Sequence, residues 1–544
     1  MLTYTPNVKL KRKDRPWLLF VLVVIWILGT AFFHSPWEPY EPFVLAVVKS
    51  ILRNKSWLVP YVAHVPYLEI QPFYFWIFAA ILKLFNVNNI YSIAGSVRLI
   101  NTLIIFAIIA FAGRIGSGLS AYKNGRSVTL ILISCVGFIN NAYQLSPNIL
   151  VFLGFCLYLY ALQRHQELPG ISGWLLFLGL LFISLAFTCE FILIGLLILL
   201  LLPAIDKHWR TRDYLLTTMI AIVLFATIFF LYCYQLKQVN EDFFIQWQQR
   251  YTAIYTHQHY NFWQQLLSML TMLSWYTLPG WFLVLWSCYK RRLKLFKDKT
   301  ITAAIYLGAL LFLFTLISGN GIENAIFPIV LPIALLASLE IDSIRISIVS
   351  LLNWFSIFIF GIAGIGIWAS YFIFILNYPR DVVNKLLAFS HGFSYNFNIW
   401  QLELAVLITL IWLFMITRRH IRGREVITNW ASGTTFVVIL FMSLCLPWFD
   451  AMLTFKPMVM SSLKHIDRNG CVATNANYST QSALWYYYAD INLIPGFFNV
   501  DNSLCNQAVI ATDNIATINQ HNWQIVWSAK RPIDKKVYYV IQHR

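Results

Sequence analysis

Of the 544 residues, 59% are hydrophobic and only 12% are charged, too little polar surface for a water-soluble body of this length, so the bulk belongs in lipid. The net charge of +17 comes without a compact basic domain or basic-aromatic interleaving, which excludes a surface built to grip nucleic acid. The positive residues gather instead in short runs, Lys9 to Arg15, Lys207 to Arg212, Lys290 to Lys299 and Arg418 to Arg424, the pattern of cytoplasmic loops in a multi-span protein.

The first apolar stretch, roughly 17–33, follows a basic flank. It runs into His34-Ser35-Pro36-Trp37 rather than a small-residue cleavage site, so it reads as a retained span. A long aromatic segment punctuated by prolines follows. It holds Glu38-Pro39-Tyr40-Glu41-Pro42, an amphipathic helix over 42–53, and an apolar stretch over 73–85 too short to cross a bilayer upright, which reads as partly interfacial. Further spans are expected near 93–112, 126–143, 147–163, 173–189, 190–205, 216–234, 264–288, 301–317, 323–339, 348–373, 400–417 and 427–447.

Counted from a cytoplasmic amino terminus, that gives about thirteen spans, with every basic run inside and 34–92, 235–263, 374–399 and 448–544 outside. The tail, 454–544, is rich in Asn, Asp, Gln and Ser. It carries β-like runs at Gly470 to Thr474, Gln507 to Ala511, Trp523 to Ser528 and Lys536 to Ile541, with a helix over Gln481 to Tyr488. About ninety residues suffice for a small outer α/β domain. Of eight cysteines, six fall in or beside apolar stretches as small core residues; Cys471 and Cys505, in the tail, are either a disulfide or two unpaired thiols.

Residues fit for chemistry cluster in the first hundred positions. Glu38 and Glu41, spaced i,i+3, share a helical face beside Trp37 and Tyr40. Each is either a carboxylate that takes a proton from an acceptor or an ordinary solvated acid, and position favours function for Glu41 over Glu38. Glu69 follows Tyr67 with His64 nearby. Arg98 at an outer span end presents a guanidinium fork to a lipid phosphate or simply snorkels. Arg250 lies in the outer loop, followed by His257 and His259, an alternating pair that binds metal only if carboxylates converge. Glu190 is a buried acid in a span or a residue of a short turn.

In order, these features resemble bacterial members of the protein mannosyltransferase/aminoarabinose transferase superfamily, membrane glycosyltransferases of the type C fold. The family's Trp-x-Pro-Asp-Glu, followed after a helix by Gly-Asp-Trp-x-x-Pro, reads here Trp37-Glu38-Pro39-Tyr40-Glu41 and Lys55-Ser56-Trp57-Leu58-Val59-Pro60. Its Pro-Tyr/Phe-x-Glu-Lys-Pro-Pro motif with an aromatic run reads Pro66-Tyr67-Leu68-Glu69-Ile70-Gln71-Pro72-Phe73-Tyr74-Phe75-Trp76, and the later Arg-Leu pair is Arg98-Leu99. Leu278-Pro279-Gly280-Trp281, Trp430-Ala431-Ser432-Gly433, Leu446-Pro447-Trp448-Phe449-Asp450, Cys471-Val472-Ala473 and Arg531-Pro532 extend the resemblance along the chain.

The resemblance implies an inverting enzyme of the bacterial inner membrane, with residues 1–453 as the transmembrane domain and 454–544 periplasmic. It would move a sugar from a polyprenyl-phosphate donor to an envelope acceptor such as lipid A or another glycan. It implies Glu41 and Glu69 as catalytic carboxylates, with Tyr40, Tyr67, Arg98 and Arg250 contacting substrate. Four positions depart from the family: Tyr40 replaces its leading aspartate, Ile70 its lysine, Ser146 an outer acid, and Cys189 the lysine of a Thr-Lys-Gly motif. With those acids missing, a tightly held divalent ion is disfavoured and no cofactor is expected. The alternative is a noncatalytic relative that binds a polyprenyl lipid or a membrane partner. A transporter would require an internal repeat or mid-membrane polar groups, and the sequence has little of either.

Overall fold

The computed structural model describes residues 17–32, 34–53, 55–85, 92–119, 124–253, 261–318, 322–390, 393–417, 424–468, 470–475, 480–495, 505–513 and 523–543. The chain begins with α1 (Trp17–Gly29) and α2 (Glu41–Leu52), then a two-stranded hairpin of β1 (Tyr61–Val62) and β2 (Val65–Pro66). The helical body continues with α3 (Pro72–Phe85), α4 (Ile93–Ser117), α5 (Gly125–Ser134), α6 (Val136–Ala142), α7 (Asn148–Arg164), α8 (Pro169–Ile183), α9 (Glu190–Ile205), α10 (Arg212–Val239) and α11 (Glu241–Thr252). Next come α12 (Phe262–Tyr276), α13 (Gly280–Arg291), α14 (Lys299–Ser318), α15 (Ile322–Ile326), α16 (Val330–Ala337), α17 (Ile346–Leu376), α18 (Arg380–Leu387), α19 (Ile399–Thr417), α20 (Arg424–Leu444) and α21 (Leu446–Leu453).

A helix rises about 1.5 Å per residue, so crossing about 30 Å of hydrocarbon takes about twenty apolar residues. Among the described residues six helices meet that requirement: α4, α10, α14, α17, α19 and α20. The pairs α5–α6 and α12–α13 bring the number to eight if each is one span, bent by 73° and 100°. The other segments expected to cross hold shorter apolar helices, and 173–189 is helical only as far as Ile183. The protein is therefore a multi-span helical membrane protein with six to eight full-length candidate spans. Burial sorts them: 83% of the apolar window of α20 is inside the protein, against 17% for α17, which turns Trp354, Phe358 and Ile365 outward as a lipid-facing helix does.

The two bends touch. Pro279 lacks an amide donor and cannot continue α12, while Cys135 adopts an extended backbone between α5 and α6. The Cys135 thiol reaches the Thr277 carbonyl at 3.7 Å. Gly137 makes the crossing possible, because a Cβ there would overlap the Tyr276 ring. This close approach brings the end of α12 against α6 at the site described below.

The carboxy-terminal part is a small β-sheet domain. After α22 (Lys456–Ser462) come β3 (Val472–Thr474), α23 (Thr480–Ala489), β4 (Leu493–Pro495), β5 (Gln507–Thr512), β6 (Trp523–Ala529) and β7 (Val537–His543). The strand order is β4-β3-β5-β7-β6, with β3 parallel to both neighbours and β7 antiparallel to both of its own. Leu484, Trp485, Leu493, Val509 and Val540 form its apolar core, and Cys471 is bonded to Cys505 where β3 and β5 begin. The four strand runs and the helix read from the sequence fall on β3, β5, β6, β7 and α23; β4, three residues long, was not anticipated.

The domain sits on α2. Lys49 donates to the carbonyls of Tyr486 and Tyr487 at 3.1 and 2.7 Å, satisfying acceptors at the carboxy-terminal end of α23. Arg53 forms a two-pronged contact with Asp490 at 2.7 and 3.0 Å. Arg531 joins Glu38 at 2.8 Å, Asp534 at 2.7 Å and the Leu453 carbonyl at 2.7 Å, with its guanidinium 3.4 Å from the centre of the Phe455 ring.

Candidate active site

The proline-flanked segment between α1 and α2 is held from three sides. Asp450 of α21 accepts from the Ser35 amide at 2.8 Å and the Trp37 indole at 2.9 Å, and Arg531 holds Glu38. The third hold is Glu41, an acid in the first turn of α2, where the helix dipole favours negative charge. Its Oε2 accepts from the Trp37 amide at 3.0 Å and from Arg98 at 2.9 Å, and its Oε1 accepts from the Leu145 amide at 3.2 Å.

Arg98 is engaged through both terminal nitrogens: it also donates to the His34 carbonyl at 2.6 Å and the Ser35 carbonyl at 3.3 Å. His34 stacks on Trp37, and burial lowers its pKa against the opposing pull of Glu41. With 1% of Glu41 and 3% of Arg98 exposed, the pair is closed to a substrate as it stands.

Glu69 and Arg250 form a second, more open ion pair, each with 37% of its side chain exposed. The sequence placed Arg250 in a loop, but it lies on α11. That helix has local causes: Asn240 caps it through the Phe243 amide, Glu241 and Asp242 occupy its first turn, and Phe243, Trp247 and Tyr251 recur every four residues on its buried face. The Trp247 indole donates to Gln71 at 2.7 Å and the Tyr251 hydroxyl to the Ser184 carbonyl at 3.1 Å, which sets Arg250 over the hairpin segment carrying Glu69. Tyr67 is buried beneath, its ring stacked on Phe43; burial and then Glu69 push its phenol well above the usual range.

Between the ion pairs lies a polar network that the sequence did not reveal. The Tyr40 hydroxyl meets the Asn324 amide group at 2.9 Å, and Asn324 Oδ1 accepts from Asn148 at 2.8 Å. Glu323, beside Asn324 on α15, accepts on Oε1 from Asn140 at 2.9 Å and from the Tyr276 hydroxyl. Desolvation raises the Tyr40 pKa, the Asn324 hydrogen bond opposes this, and Glu323 and Glu69 raise it further, so both carboxylates act on one phenol. The network joins residues far apart in sequence; Asn140-Asn141 inside an apolar run and the acid at the outer start of 323–339 were its only local signals.

The remaining expectations fall elsewhere. His64 is exposed in the β1–β2 turn, and Glu190 is buried at the start of α9. Ile70 is 2% exposed within the main apolar core, and Ser146 is buried with its hydroxyl accepting from the Asn148 amide. His257 and His259 lie outside the described residues. A cavity of about 490 Å3 between Phe393 and Pro447 is lined by no ionisable side chain and lies apart from these groups.

No protein-family model and no curated protein sequence matches the chain. Solved structures do. ArnT from Cupriavidus metallidurans bound to undecaprenyl phosphate superposes with a TM-score of 0.65 at 13% identity, over 96% of this chain and 97% of that one. The chain has the ArnT fold. The apo state of ArnT from the same organism matches with a TM-score of 0.62, again at 13% identity and over the same shares of both chains. Because the ArnT match runs through 96% of the chain, it takes in the small β-sheet domain as well as the membrane helices.

Proposed function

We propose that the protein transfers a sugar from a polyprenyl-phosphate donor to an envelope acceptor at the periplasmic face of a bacterial inner membrane. The observation that carries this reading is the near full-length fold match to ArnT bound to undecaprenyl phosphate. The accompanying topology is about thirteen crossings, short helices and bent pairs included, with a cytoplasmic amino terminus and a periplasmic domain from residue 454.

In this reading the acceptor attacks the anomeric carbon from the side opposite the phosphate. The glycosidic C–O bond breaks, its electron pair leaves with the polyprenyl phosphate, and the configuration inverts. Arg250, partly exposed, meets the phosphate, which competes with Glu69 for its guanidinium. Tyr40 faces the sugar and acceptor, while buried Tyr67 supports the floor. Glu41 and Arg98 take a different role from the one the resemblance implied: both carboxylate oxygens and the fork are spent inside the protein, so the pair positions the Ser35–Tyr40 segment rather than touching substrate.

The test is incubation of purified full-length protein with radiolabelled polyprenyl-phosphate sugars and envelope extract. Transfer of label to a lipid or glycan supports the reading. Absence of transfer with undecaprenyl phosphate still bound leaves the noncatalytic alternative, which the burial of Ile70 at the family's lysine position favours.

A further inference from the structure

The acids gathered around the Ser35–Tyr40 segment differ in what remains open on them, Glu38 being held by Arg531 and Asp450 by Ser35 and Trp37. Glu41 has both oxygens bonded and is buried, and Glu69 is paired with an arginine. Glu323 is exposed; its two hydrogen bonds, from Asn140 and Tyr276, converge on Oε1, and among the described residues Oε2 accepts none. One oxygen is thus fixed by two donors from α6 and α12 while the other, on an exposed side chain, is left without a hydrogen bond among the described residues. This is the arrangement a proton acceptor requires, oriented but unspent.

We propose that Glu323 takes the proton of the acceptor and that the acceptor group is a neutral hydroxyl rather than a phosphate. The proposal rests on the transferase reading above. The hydroxyl oxygen bonds to the anomeric carbon, its proton passes to Glu323 Oε2, and the C–O electron pair departs on the polyprenyl phosphate. Tyr40, Asn324 and Asn148 beside it supply paired donors and acceptors for hydroxyl groups. A phosphate monoester has a second pKa of about 6, so it arrives already ionised and needs no base. It would also approach the carboxylate of Glu323, which is held by the neutral donors Asn140 and Tyr276, against like charge.

The experiment uses the full-length protein, radiolabelled undecaprenyl-phosphate sugars from cell extract, and whole envelope extract as acceptor. Expected is a wild-type product that survives mild acid, as an O-glycoside does and a glycosyl phosphate does not. Glu323→Gln should slow transfer about 100-fold or more while undecaprenyl phosphate binding stays within about twofold. An acid-labile product overturns the proposal without needing any variant, and so does a Glu323→Gln rate within threefold of wild type. No transfer by wild type instead overturns the transferase reading itself.

Discussion

The carboxylate of Glu41 and the guanidinium of Arg98 lie 2.9 Å apart with 1% and 3% of their side chains exposed, joining α2 to α4 beneath the proline-flanked segment. Removing one member of such a pair strands a buried charge and costs about 3–5 kcal/mol, whereas removing both does not. Arg98→Met should therefore lower stability by about that amount, and the double variant Glu41→Gln/Arg98→Met should be more stable than Arg98→Met alone. Thermal melting in detergent decides this; simple additivity of the two losses would contradict the buried-pair account.

Glu69 and Arg250 should behave differently because both are partly solvated. Glu69→Gln is expected to change stability by less than about 1 kcal/mol. It should tighten undecaprenyl phosphate binding by freeing Arg250, while Arg250→Ala weakens binding about tenfold or more. Titration of the lipid against intrinsic fluorescence measures both, and responses in the same direction would remove Arg250 from the phosphate site.

Gly137 has no room for a side chain because Tyr276 fills the space. Gly137→Ala should cost about 1–3 kcal/mol through overpacking and displace the Tyr276 hydroxyl from Glu323. Melting together with transfer rate checks this, the expected result being a loss in both; unchanged melting would show that the contact is slack.

Docking of the β-sheet domain should weaken in acid. Burial raises the Asp490 carboxyl, but hydrogen bonds from Arg53 and Lys49 outweigh it and leave the group titrating below its ordinary value. Its contribution is thus complete above the ordinary carboxylate range near about 4 and is lost as pH falls through the lower folded value. Hydrogen-exchange protection of Thr480–Ala489 should fall over that window, and Asp490→Asn should be weak and flat across it. A wild-type domain equally protected on both sides of the window would count against the contact.

Legibility in the sequence followed the range of the interactions. Apolar runs mark helices locally, so the apolar helices, the short one ending at Phe85 included, and most tail strands were visible. Helix length was less so, because breaks at Cys135 and Pro279 depend on how two bends meet. The α11 helix was concealed by its polar face, although Asn240 and the four-residue spacing of Phe243, Trp247 and Tyr251 encode it. Glu41, Glu69, Arg98 and Arg250 were singled out, but not their arrangement as two ion pairs. The Tyr40–Asn324 contact, 284 residues apart in sequence, leaves no local pattern, and Glu323 was passed over for the same reason.

The most direct test of the account is an experimental structure of the protein with undecaprenyl phosphate bound. The phosphate oxygens should lie within about 3.5 Å of the Arg250 guanidinium, with the space beyond them bordered by Tyr40 and Glu323. A phosphate seated on Arg98 with the Glu41 pair broken, or one bound on the opposite side of the membrane, would contradict it.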